Sequence, residues 1–114
     1  YYEALSLDLP VGTYIVNGWV DFSPAGYYIA TMKAGTATAT FNGASELNAL
    51  STVVQISAYA ATTITLAGVI AVVTVAGTIE IGGSCYSNSN EDILGTAALS
   101  FYQGSTTLSA VKIG

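Results

Sequence analysis

The residues best equipped for chemistry lie in one polar stretch, Ser84-Cys85-Tyr86-Ser87-Asn88-Ser89-Asn90-Glu91-Asp92. Tyr86 offers a ring on which a sugar could stack, and Asn88, Asn90 and Asp92 are short groups able to exchange hydrogen bonds with hydroxyls. The same three residues set oxygen ligands at alternate positions, which suits Ca²⁺ in principle, but the glycine and final glutamate of an EF-hand loop are absent. No metal or cofactor is therefore assigned. A solvated connection between two elements is the competing role for this loop. A second candidate is the turn from Ser23 to Tyr28, where Tyr27 and Tyr28 flank a Pro-Ala-Gly tip; core packing competes as the role of at least one of these tyrosines.

The same inventory argues against an enzyme. The chain has no His and no Arg, so the commonest general base, metal ligand and anion clamp are missing. Glu91 and Asp92 are adjacent, and neighbours on an extended chain point to opposite sides, so they make no facing carboxylate pair of the glycosidase type unless the loop folds sharply. The many serines and threonines have no evident activating base, because Lys33 and Lys112 sit inside strand patterns. Gly82-Gly83-Ser84 is too short to cradle a phosphate and no Gly-Lys-Ser/Thr follows it.

Composition limits what can surround these residues. In 114 residues, 52% are hydrophobic and only 8% charged, where a soluble domain is about one-quarter charged. Either a membrane or other copies of the chain must cover so apolar a surface. The most apolar run, residues 64–77, is shorter than the roughly 20 residues of a spanning helix, and it is β-branched and broken by Gly and Thr. Aromatic girdles at both ends of successive ten-residue strands are also lacking, which argues against an outer-membrane barrel. Membrane insertion is not expected, and no signal peptide is read at the start. The net charge of −5, with two lysines as the only cations, cannot neutralise a row of phosphates, so nucleic acid and anionic lipid are not expected partners. Obligate self-association is the reading left. The single cysteine, Cys85, forbids an intrachain disulfide.

The elements that must position the candidate residues are strands. Residues 9–22 form the clearest: Tyr14, Val16, Gly18, Val20 and Phe22 point one way, and Ile15, Asn17, Trp19 and Asp21 the other. The first face is apolar, and Ile15 and Trp19 on the second predict that it too is partly covered. Further strands are expected at residues 1–9, 27–34, 36–41, 53–60, 62–66, 69–75, 78–81, 97–103 and 107–113. Asn42-Gly43 is a hairpin-type turn, 45–48 a short helical turn or loop, and Gly82-Gly83 a break. Eight to ten short strands at spacings of about ten residues predict one all-β domain over 1–114, an antiparallel β-sandwich or jelly roll.

Two segments carry a resemblance. Leu9-Pro10-Val11-Gly12-Thr13-Tyr14-Ile15-Val16 resembles the leucine-proline-x-glycine-x-tyrosine strand start of C1q/TNF-like jelly rolls, especially the heads of bacteriophage tail fibres and other receptor-binding proteins. Ser105-Thr106-Thr107-Leu108-Ser109-Ala110-Val111-Lys112-Ile113-Gly114 resembles the ending common in such heads. The stretches 62–66 and 77–81 fit the middle strands more loosely. The resemblance implies a homotrimer at the end of a fibre, on a virion or otherwise extracellular, that binds a host cell-surface glycan. Trp19, Tyr59 and Tyr102 are then candidates for the trimer interface, with ordinary core or scattered surface as their competing roles. A trimerisation cap without ligand, such as a virion decoration or the head of a collagen-like surface filament, and a secreted TNF-type ligand share the expected fold.

Overall fold

The computed structural model describes residues 1–23, 28–50, 62–85, 100–101 and 106–114. Nine strands occur among them: β1 (Tyr2–Leu9), β2 (Gly12–Ser23), β3 (Tyr28–Ala34), β4 (Thr38–Phe41), β5 (Glu46–Leu50), β6 (Thr62–Val75), β7 (Gly77–Cys85), β8 (Ser100–Phe101) and β9 (Thr107–Lys112). They form two antiparallel sheets, consistent with the expected β-sandwich. Sheet I has the order β1-β7-β3-β5, and sheet II the order β4-β6-β2, with β8 and β9 following one another along the free edge of β2.

Successive strands from β1 to β8 alternate between the sheets, so the antiparallel pairs are nested: β1 with β7, β2 with β6, β3 with β5, and β4 at the centre of the nest. The crossings need tight chain, and the turn residues supply it. Pro10 and Val11 alone carry the chain from β1 to β2, and the Tyr14 hydroxyl donates to the Pro10 carbonyl at 2.8 Å, which closes this corner on itself. Asn42 and Gly43 have φ of 49° and 83°, the pair of positive values a type I′ turn requires. This turn closes only the Phe41–Ala44 bridge before β5 leaves to pair with β3, so the Asn-Gly turn is present but joins two sheets.

Alternation decides what is buried. Tyr14, Val16, Val20 and Phe22 of β2, with Val73 beside them on β6, face Met32, Ile79 and Ile81 of sheet I across a core of buried side chains, with Phe22 stacked on Tyr28 at 4.4 Å between ring centroids.

Four expectations are corrected. Residues 62–66 and 69–75 belong to one strand, because a bulge absorbs the break: Ala67 and Gly68 together oppose Asn17, Gly68 takes φ of 63°, and its N–H donates to Asn17 Oδ1 at 2.8 Å. Gly82-Gly83 continues β7. A Cβ on Gly83 would stand 2.5 Å from both the Ile29 carbonyl oxygen and Phe22 Cζ, so glycine is needed there for close approach within a central strand. Residues 46–50 form a strand where a helical turn or loop was expected, because the edge of β3 offers them a hydrogen-bonding partner. Thr36 lies outside β4; its backbone N–H donates to Thr78 Oγ1 at 2.9 Å and its own Oγ1 accepts from the Thr78 N–H at 2.8 Å, which ties the turn to β7. The expected strand at 53–60 lies outside the described residues.

Candidate functional site

Ser84 and Cys85, expected to open the polar loop, instead end β7, while the loop's candidate residues Tyr86, Asn88, Asn90 and Asp92 lie outside the described residues, as do Tyr27, Tyr59 and Tyr102. Tyr28 is 1% exposed and belongs to the core, the role that competes for one of the two turn tyrosines. Trp19 is on the outer face of sheet II and 40% exposed. What can be built from the residues upward is therefore the pair of outer faces, which differ sharply in chemistry.

On sheet II, the residues that alternate with the core side chains of β2 point away from it, and pairing aligns them in rows. Ile15 sits between Ile70 of β6 and Val111 of β9, Thr13 beside Val72, and Trp19 between Thr65 and Thr107. Ile70 and Val72 are each 39% exposed and Val111 63%. Threonines and serines fill most of the remaining places, among them Thr38 and Thr40 of β4 and Ser109 of β9, with Asn17 and Asp21 on β2. The strands of this sheet carry two charged residues. Asp21 is 9% exposed and its carboxylate accepts the Thr63 hydroxyl, while Lys112 pairs in register with Tyr14, near the end of the sheet.

Sheet I carries the other described charges: Glu3 and Asp8 on β1, Lys33 on β3, Glu46 on β5 and Glu80 on β7. Lys33 has Glu80 and Glu46 as its cross-strand partners. Its ammonium lies 4.0 Å from the centre of the Tyr1 ring, and the Tyr1 hydroxyl donates to Glu80 Oε2 at 3.0 Å. Partial burial, the bond to Glu80 and the charges of Glu80, Glu3 and Glu46 push the Tyr1 phenol well above the ordinary tyrosine value. Beside this cluster an open cleft of about 280 Å³ is lined by Lys33, Glu46, Ser45, Thr38 and three alanines. Lys33 is already flanked by two acids there, which disfavours an anionic ligand.

Sequence reasoning picked out Trp19 but missed Ile70, Val72 and Val111. A signal for the first two was present: residues 69–75 are apolar on both alternating sets, which in an antiparallel sheet means that both faces seek cover. The Tyr1–Lys33–Glu80 cluster left no signal, because its members come from β3, β7 and the residue before β1, up to 79 positions apart. No group of three or more His, Cys, Asp or Glu able to hold a metal occurs among the described residues, and no helix there is long and apolar enough to cross a membrane. Fold and faces together define an all-β sandwich with one acidic and one nearly uncharged side. Comparison with protein-family models, with curated proteins and with solved structures finds no match.

Proposed function

We propose that this chain is the non-enzymatic head of a bacteriophage tail fibre, a jelly roll that assembles as a homotrimer and recognises a host cell-surface saccharide through avidity. The observation that carries the reading is the nested pairing of β1 with β7, β2 with β6 and β3 with β5, the arrangement a long antiparallel hairpin takes when it rolls into two sheets. The addition of β9 along β2, rather than beside β1, extends that scheme. The two segments that resemble such heads hold defined places in it: the first makes the crossing from β1 to β2, closed by the Tyr14–Pro10 bond, and the second makes β9. Each glycan contact is weak in this reading, and three copies on one rigid head raise the effective affinity by about 10²–10⁴ where geometry allows simultaneous contact.

The test is a glycan array probed with the chain at known mass, wild type against N88A, N90A and D92A. The expected result is wild-type binding that the variants lose while keeping the trimer. Binding unchanged in all three variants removes the 84–92 loop from the function. A wild-type trimer that binds no glycan and no bacterial cell overturns the receptor reading in favour of a structural cap.

A further inference from the structure

The two outer faces of the sandwich cannot serve assembly equally. The chain carries a net charge of −5, and the described acids other than Asp21 stand on sheet I. Two copies meeting through sheet I would set Glu3, Asp8, Glu46 and Glu80 against their own duplicates, and like charges at a buried contact cost several kcal/mol. Two copies meeting through sheet II would bring together Ile15, Trp19, Ile70, Val72 and Val111 among threonine hydroxyls, with Asp21 already hydrogen-bonded to Thr63. We infer that the outer face of sheet II is the surface on which other copies of this chain pack, and that the acidic face of sheet I is turned to solvent. This inference rests on the self-assembly proposed above and assigns the face that performs it.

Size supports a protein-sized contact. At about 3.3 Å per residue and about 4.8 Å between strands, the 14 residues of β6, 12 of β2, four of β4, two of β8 and six of β9 tile roughly 600 Å². That is the lower end of what one partner contributes to a stable interface. Its chemistry narrows the occupant. An anionic lipid surface would need cations around the apolar patch, and Lys112 is the one lysine on this sheet. Copies of the same chain need none, because three such faces grouped about a threefold axis present uncharged rows to one another.

The experiment measures mass by light scattering for wild type, Val111→Glu and Ile70→Glu on sheet II, and Ser6→Glu on the exposed face of sheet I. Each altered side chain is at least partly exposed in the single chain, so strand content read by circular dichroism should be retained. The expected result is a threefold drop in mass for both sheet II variants and none for Ser6→Glu. Trp19 is the single tryptophan, so acrylamide quenching of its fluorescence reads the same face without a substitution: it should be severalfold weaker in the wild-type assembly than in a monomeric variant. A wild-type oligomer whose mass survives both sheet II variants, with Trp19 freely quenched, overturns this assignment and leaves self-assembly standing. A wild-type monomer overturns the assembly reading itself. Should either sheet II variant fail to fold, the wild-type quenching result decides alone.

Discussion

Replacing Gly83 by alanine tests whether the glycine pair in β7 is a packing device or a strand break. The added Cβ would stand 2.5 Å from the Ile29 carbonyl oxygen on β3 and 2.5 Å from Phe22 Cζ. Neither obstacle yields easily. The carbonyl belongs to the backbone of the adjoining strand, and the Phe22 ring is fully buried and stacked on Tyr28. Overfilling a packed core costs about 1–3 kcal/mol, and a rigid backbone obstacle in a central strand puts Gly83→Ala at the upper end. At about 4 °C per kcal/mol for a domain of this size, the melting temperature should fall by roughly 10 °C. Urea unfolding gives the free energy, at one fixed protein concentration because any oligomer makes the midpoint concentration-dependent. A cycle with Phe22→Leu separates the two obstacles: if the ring supplies half of the clash, the double variant recovers about 1 kcal/mol relative to additivity. A loss below about 0.5 kcal/mol for Gly83→Ala would refute the close-approach argument and restore the reading of residues 82–83 as an open turn.

Three further outcomes follow from single contacts. Gly68 has open space around its would-be Cβ but φ of 63°, so Gly68→Ala should cost about 1 kcal/mol from left-handed strain alone and Gly68→Asn less; equal costs would count against the bulge. Tyr14→Phe removes the bond to Pro10 O and should cost about 0.5–1.5 kcal/mol by chemical denaturation, with no loss if the corner holds without it. The Tyr1 phenol is raised in the folded state, so its contribution is present below the unfolded value near 10 and is lost as pH climbs from there through the higher folded value. Urea midpoints from pH 9 upward should therefore fall more steeply for wild type than for Tyr1→Phe, and parallel curves would dissolve the Tyr1–Glu80 bond.

Most strands were legible because alternation reports which side chains share a face. The β2 reading is the clearest instance, with Tyr14, Val16, Val20 and Phe22 all buried as their spacing requires. β5 was not legible: Glu46, Leu47, Ala49 and Leu50 carry no strand preference of their own, and the backbone edge of β3 overrides them. The bulge at Gly68 was read as a gap between strands, since a single left-handed glycine gives the same local signal as a turn. Of the candidate site, Trp19 was legible from its place opposite the core face of β2, while the acidic cluster around Lys33 was not.

Composition and periodicity by themselves determined an all-β chain that is poor in charge, because those properties are sums and spacings along one dimension. They also determined the turn chemistry of Asn42-Gly43, since positive φ is a local demand. Only the tertiary structure decided where such turns lead, into another sheet rather than back along the same one, and it alone sorted the charges. Glu3, Lys33, Glu46 and Glu80 are scattered through the sequence, and the pairing of β1, β7, β3 and β5 gathers them on one side. What remains on the other side is a nearly uncharged face, which no spacing along the chain encodes because it is defined by which strands become neighbours.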